Sequence, residues 1–378
     1  MPPRPGLLVT ADGALFRGVS VGAEGVSTGE VVFNTAMTGY QEVLTDPSYA
    51  GQVVVMTSVH IGNYGISADD DQSSSPAASG MIVRSLTSRP SSWRAERSLA
   101  EVFVERGLVA LSEIDTRRLT RHIRQHGAMP AALGSGMTEA ELTERAAAAP
   151  RMEGRALAYA VSTPHPYHVA AEGDRRGKVV AIDLGIKRDI LRQLAGRGFD
   201  VDVMPAAATA NEIRDRQPDG IFLSNGPGDP EPLTETVATL RELIGKVPIF
   251  GICLGHQVFG LALGARTFKL PFGHHGGNHP VRRLDDGRVS ITSQNHGFAV
   301  DLQSVAKGAS PPGELPPKVE TDFGTAIPTH QNLNDGTLEG MRSLDVPAFS
   351  VQFHPEAAPG PRDAVGLFDD FVELMDRA

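Results

Sequence analysis

The chain has 378 residues, long for one domain and comfortable for two, since domains cluster at roughly 100–200 residues. A hydrophobic content of 40% and a charged content of 21% exclude a disordered chain, and an excess of acidic over basic residues, 45 to 35, argues against a nucleic-acid partner because that field repels phosphate backbones. The most apolar window, 248–264, is broken by glycines, His256 and Gln257, short of the about 20 apolar residues a membrane span needs.

In chain order, the opening MPPRPGLLVTADG has no secretory pattern. From Leu7 to about Thr57 the chain reads as glycine-punctuated β runs (FRGVSVG, EVVFNTAM, QVVVMT) without strand–helix alternation. Helices are predicted over 98–106 and 115–125, the second stopped by Gly127. Its Arg117, Arg118, Arg121 and Arg124 read first as a solvated helix surface, with a docking face as the alternative. The stretch 153–177, carrying HPYH and EGDRRG, reads as a linker.

Beyond it, apolar runs at 179–184 (VVAIDL), 201–204, 220–224 (GIFLS) and 247–252 (VPIFGI) alternate with helical patterns at 187–197, 211–217 and 231–244. Continuous apolar strands joined by crossover helices predict a mostly parallel sheet with helices on both faces. After Ala265 shorter mixed strands are expected at 282–284, 289–292, 298–300, 338–342 and 348–353. A Pro-rich surface loop at 308–318 and a closing amphipathic helix within 362–377 complete the reading. The fold class is therefore α/β, with domains at 1–152 (β-rich) and 178–378 joined by the 153–177 segment.

One cysteine, Cys253, can close no intrachain disulfide, which points to a soluble protein of a reducing cytoplasm. It sits in Gly251-Ile252-Cys253-Leu254-Gly255, after an apolar strand and before a helix, the pattern of a nucleophile elbow with Cys in place of Ser. The glycines allow a sharp strained turn, and the helix N-terminus favours thiolate. Such a nucleophile needs a base and an orienter. His354 ends the apolar segment AFSVQFHP, and Glu356, two residues on, points the same way in extended chain. Cys253, His354 and Glu356 thus form a candidate triad. The backbone N–H of Leu254, and that of Gly226 in the turn SNGPGDP, are candidate oxyanion donors.

Three other motifs are set aside. SNGPGDP lacks the third glycine of a dinucleotide fingerprint, GDRRGK is one residue short of a phosphate loop and is followed by Val179 where Ser or Thr is needed, and GHHGGNH (273–279) has neither a helix to array its histidines nor a carboxylate. No metal or nucleotide site is expected in this chain.

SNGPGDP, GICLGHQ, FGHHGGNHP, SQNHGFAV and FHPE, in that order, resemble a class I glutamine amidotransferase domain. With MTGYQEVLTDPSYAGQ and IDTRRLTRHIR, nearly the whole chain is similar to the small, glutamine-hydrolysing subunits of carbamoyl-phosphate synthetases. The resemblance implies that Cys253 attacks L-glutamine to form a γ-glutamyl thioester, with Ser48, Gly226, Gly228, Leu254, Gln257, Asn295, Gly297 and Phe298 contacting the substrate. It implies a large-subunit partner that takes the ammonia and carries ATP, magnesium and bicarbonate chemistry, for arginine and pyrimidine synthesis. Alternatives are the subunit of another amidotransferase, such as the anthranilate or guanylate type, a free-standing amidase, and a non-catalytic scaffold.

Overall fold

The structure, a computed structural model, describes residues 4–308, 311 and 314–377. These fall into two compact units. One holds the residues up to Glu153 with Pro271–Gly276 and Ala358–Gly360; the other holds Gly154–Leu270, Gly277–Ala357 and the chain from Pro361 onward.

The first unit is built on strands β1 (Arg4–Thr10), β2 (Leu15–Ser20), β3 (Val26–Asn34), β4 (Gln52–Met56), β5 (His60–Ile61), β6 (Gly80–Ile82), β7 (Ser85–Leu86), β8 (Ala110–Ser112) and β9 (Met129–Ser135). Seven of them close a barrel in the order β1-β2-β8-β6-β4-β3-β9, and β5 and β7 pair separately. Its helices are α1 (Tyr40–Thr45), α2 (Leu99–Glu105), α3 (Thr116–His126) and α4 (Glu139–Ala148). Reciprocal Ser98/Glu101 and Thr138/Glu141 capping boxes start α2 and α4, and Asp115 caps α3. The run QVVVM is continuous rather than alternating because both of its faces are covered. Val53 and Val55 join the cluster of Leu119 and Ile123 from α3, whereas Val54 and Met56 join that of Leu99, Val102 and Phe103 from α2. Pro271–Gly276 belongs here by hydrogen bonding: the Pro271 carbonyl accepts from the Ala128 N–H (2.7 Å) and the His275 carbonyl from the Thr35 N–H (3.1 Å).

The second unit starts with α5 (Leu157–Val161) and β10 (Tyr167–Val169), then β11 (Gly177–Asp183), α6 (Arg188–Ala195), β12 (Phe199–Pro205), α7 (Ala210–Arg214), β13 (Gly220–Leu223), α8 (Thr234–Leu243), β14 (Ile249–Ile252) and α9 (Leu254–Ala262). It continues through β15 (Arg266–Arg283), β16 (Val289–Asp301), β17 (Val319–Thr321), β18 (Gly324–Asn332), β19 (Leu338–Ser343) and β20 (Ala348–Val351) to α10 (Leu367–Arg377). The sheet order is β10-β12-β11-β13-β14-β20-β19-β18-β15-β16. The five strands from β12 to β20 are parallel, and antiparallel pairing takes over from β20 to β15. Alternate residues of the parallel strands again feed two layers. Val180, Ile182, Ile221 and Leu223 meet Leu240 and Leu243 of α8 and Val258 and Phe259 of α9. Val179, Phe222, Phe250 and Ile252 meet Ile190 and Leu194 of α6 and Phe368 and Phe371 of α10.

Two local readings differ. The 153–177 stretch carries α5 and the edge strand β10, whose exposed Tyr167 and His168 explain its polar, linker-like composition. The short strands expected at 282–284, 289–292 and 298–300 are pieces of the long β15 and β16. GHHGGNHP lies inside β15, where glycines and histidines hide the strand pattern. The loop at 308–318 lies partly outside the described residues.

The aromatic cluster on one face of the parallel sheet makes a direct test of this packing. Phe371 is fully buried, 5.7 Å from the ring of Phe250 and 6.4 Å from that of Phe222. Phe371→Ala is expected to cost about 3–5 kcal/mol, read as a lower urea midpoint for unfolding.

Candidate active site

Four adjacent parallel strands, β11, β13, β14 and β20, end on the same sheet edge, where open α/β sheets place ligands. β13 runs into Ser224–Gly228, β14 into Cys253, β20 into His354, and β11 into the turn before Lys187. Cys253 takes φ 54° and ψ −104°, a strained conformation for a residue with a side chain. It sits at the N-cap of α9, so the Leu254 N–H, in the first turn, has no helical acceptor. Glycine at 255 is a steric need: a Cβ there would lie 2.3 Å from the Leu223 carbonyl oxygen, while the Gly255 N–H donates to the Ser224 carbonyl (3.0 Å). At Gly226 a Cβ would lie 2.0 Å from the Leu184 oxygen and 2.9 Å from Leu254 Cδ2, so the SNGPG turn is packed directly against the elbow.

His354 is bridged to Ser293 of β16, its N–H donating to the Ser293 carbonyl at 2.9 Å. Its Nδ1 lies 2.7 Å from Glu356 Oε1. Nε2 is buried, and Cys253 is close enough to raise the ring's pKa by its charge and by hydrogen bonding. The Cys253 thiol itself donates to the Asn295 carbonyl at 3.5 Å. His354 and Glu356 are thus hydrogen-bonded to each other, with Cys253 near enough for its charge to reach the ring.

Behind it lies a group the sequence reading missed. Lys187 is 1% exposed, and its Nζ donates to Glu356 Oε1 (2.9 Å) and to the Ala357 carbonyl (2.6 Å). In sequence Lys187 is an ordinary helix-start lysine in LGIKRD; nothing local signals that an ammonium is buried there. Burial pushes the Glu356 carboxyl up, but Lys187 and then His354 outweigh it and hold it down to about 2. Burial pushes the His354 imidazole down, but Glu356 and Cys253 outweigh it and carry it up to about 10, against a smaller opposing effect of Lys187.

A second histidine, His256, lies one turn along α9 from Cys253. Burial drives it down to about 3, and its Nδ1 is tied to Ser350 Oγ at 2.8 Å. Desolvation therefore favours its neutral form, and Ser350 ties it into the fold.

The remaining expected substrate residues are placed as follows. Gly228 adopts φ +94° in the SNGPG turn. The Gln257 amide nitrogen donates to the Phe298 carbonyl (2.8 Å) and to Gln352 Oε1 (3.1 Å), so its donors hold β16 in place and its Oε1 is the atom left for a ligand. Asn295 and Phe298 are buried in β16, and Gly297 between them opens onto space, with nothing within 4 Å of a Cβ added there. Ser48 belongs to the first unit, buried in the single turn Pro47–Tyr49, where its N–H donates to Asp46 Oδ1 (2.9 Å).

Comparison with known proteins identifies the family. The profile of the carbamoyl-phosphate synthase small chain, CPSase domain, matches residues 8–133, and that of class-I glutamine amidotransferases matches residues 180–374. The chain is 49% identical to the carbamoyl phosphate synthase small chain of Syntrophotalea carbinolica, with 98% of each chain covered. It is 51% identical to that of Xanthomonas campestris pv. campestris over 99% of each, and 50% identical to that of Chlorobaculum tepidum over 99% of this chain and 98% of the other. The chain belongs to the carbamoyl phosphate synthase small chain family. Its second unit carries the class I glutamine amidotransferase domain of that family, and Cys253, His354 and Glu356 all fall within it. Among the described residues no helix is long and apolar enough to cross a membrane.

The pKa shifts fix how stability depends on pH. Glu356, depressed from 4.5, contributes stability that is present above pH 4.5 and lost as pH falls through about 2. His354, raised from 6.5, contributes stability that is complete below pH 6.5 and lost as pH rises through about 10. Glu356→Gln removes both, so the gap in Tm between the two proteins should be widest between pH 4.5 and 6.5 and narrow on either side. A pH-independent gap would contradict the charged pair. Lys187→Met strips the ammonium from a buried carboxylate and is expected to cost about 3–5 kcal/mol. It should also raise the His354 pKa further, read from the imidazole NMR titration, because Lys187 now opposes the protonated ring.

Proposed function

We propose that the chain hydrolyses L-glutamine to glutamate and ammonia and delivers the ammonia to a large synthetase chain that makes carbamoyl phosphate. The observation that carries this reading is the buried series Lys187–Glu356–His354 set beside a strained cysteine at a helix N-terminus.

In the first step the Cys253 sulfur attacks the side-chain carbonyl carbon of glutamine, its proton passing to His354 Nε2. The developing oxyanion is met by the N–H groups of Leu254 and Gly226. The C–N bond then breaks, His354 returns its proton to the departing amine, and a γ-glutamyl thioester remains with ammonia free. Water, deprotonated by His354, attacks the thioester; glutamate leaves and the sulfur is restored. Glu356 keeps the proton-bearing nitrogen oriented throughout, and the raised His354 pKa suits a ring that must hold a proton beside a thiolate. Glutamine is recognised by Gly226, Gly228, Leu254, Gln257, Asn295, Gly297 and Phe298, and Ser48 is the further contact the family implies.

This chain needs no cofactor of its own for that sequence of steps; ATP, magnesium and bicarbonate belong to the large chain. The setting is a reducing cytoplasm, which keeps Cys253 a thiol, and the product serves arginine and pyrimidine synthesis. The profile match over 8–133 favours this acceptor over an anthranilate- or guanylate-type one.

The deciding experiment uses Cys253→Ser together with a large synthetase chain, ATP and bicarbonate. Glutamine hydrolysis is expected to fall by several orders of magnitude, while carbamoyl phosphate synthesis from added ammonia continues. Unchanged hydrolysis would end the catalytic assignment, and active hydrolysis with no carbamoyl phosphate from the wild-type pair would redirect the ammonia to another acceptor. Ser48→Ala is expected to raise the KM for glutamine more than it lowers kcat.

A further inference from the structure

We infer that the arginine face of α3 in the first unit is a docking surface for a carboxylate-rich patch on the synthetase chain that consumes the ammonia; this rests on the functional reading above and goes further by naming the surface and its chemistry.

Leu119 and Ile123 turn α3 inward, leaving Arg117, Arg121 and Arg124 exposed at helical spacing on one face. Arg118 is not part of that face. Its NH2 donates to the Leu15 carbonyl (2.6 Å) and its guanidinium lies 3.9 Å over the Phe16 ring. Arg84, arriving just before β7, joins the other three around a concavity of about 710 Å³ lined also by Thr57, Val59, Thr116 and Thr120. Among the described residues none of these four guanidiniums has an acidic partner; Arg4, Arg17, Arg94, Arg97 and Arg106 of the same unit are each paired, and Arg89, Arg145 and Arg151, unpaired as well, lie outside this concavity, so it is the clustering of four around one hollow that sets these apart. The one carboxylate in the lining, Asp115, is engaged by one oxygen in capping the helix at the Arg118 N–H.

Four unneutralised cations on one face of a chain with net charge −10 leave a local field opposite to the field of the whole. Three features favour a protein carboxylate patch over a free polyanion. The cationic groups are all arginine with no lysine, the residue enriched at interfaces, where the planar fork pairs with carboxylates. The face continues into exposed apolar surface: Val59 is 53% exposed, and Met37, 84% exposed, is tied to the neighbouring Ser58 through its carbonyl. The overall negative charge opposes long nucleic acids and polyphosphates, but a protein patch engages only the local field.

The test compares wild type with Arg117→Glu/Arg121→Glu/Arg124→Glu and, as a milder second variant, Arg84→Glu, each titrated with the large synthetase chain at low and high salt. The triple variant is expected to bind at least about tenfold more weakly at low salt and to lose most of its salt dependence, with Arg84→Glu intermediate. Glutamine hydrolysis by the isolated variants, and their thermal unfolding, should match wild type. Wild-type-like binding and salt dependence in both variants would overturn the surface while leaving the subunit reading intact. Failure of the wild-type chain to bind the synthetase chain at either salt would overturn that reading and this surface with it. Equal competition by polyphosphate or RNA at this face would overturn the choice of partner.

Discussion

Charge neutrality inside a dry site governs the catalytic half of this molecule. Lys187, Glu356, His354 and Cys253 are each no more than 3% exposed, and an unpaired ion taken out of water costs several kcal/mol. The ammonium of Lys187 and the carboxylate of Glu356 cancel. What remains is balanced in two ways only: thiol with neutral imidazole, or thiolate with imidazolium. Lys187 completes that balance, although it does not face the sulfur.

The sheet is what makes such a cluster affordable. Its members come from three separate places in the chain, yet each is only a short step past the C-terminal end of a parallel strand, and β11, β13, β14 and β20 are neighbours. Apolar layers on both faces, one with α8 and α9 and the other with α6 and α10, exclude water from beneath the edge. Crowding at Gly226 and Gly255 fixes the spacing between the SNGPG turn and the elbow. The strain held at Cys253 is therefore balanced by packing that has no slack.

What could be read from the sequence follows from whether a signal is local. The elbow announces itself because its glycines, strand and helix are contiguous around Cys253, and His354 and Glu356 are legible as a pair because they lie two residues apart in extended chain. Their meeting with Cys253 is visible only through the parallel topology. Lys187 is invisible because its partner lies 169 residues away and its flanking sequence reads as a helix start. The barrel of the first unit escapes for a similar reason: closure of β9 onto β1 is a long-range pairing, and parallel β3-β4-β6-β8 contacts leave no turn signature between partners. Long strands such as β15 are missed where glycine and histidine replace the β-branched residues that mark a strand.

The arginines of α3 illustrate the complementary limit. Spacing alone treats Arg117, Arg118, Arg121 and Arg124 as equivalent, since a helix surface rich in cations is what solvation produces by default. Coordinates separate them by what each touches. Arg118 spends its guanidinium on an aromatic ring and a strand carbonyl, and so serves the fold. The other three project from the same helix beside Arg84 around one concavity, whereas the exposed Arg89, Arg145 and Arg151 of the same unit stand outside it. In a chain with ten more acidic than basic residues, four cations gathered around one hollow with no acid paired to them make a local field opposite to that of the whole, and that clustering is the physical mark of a face shaped by something outside the chain.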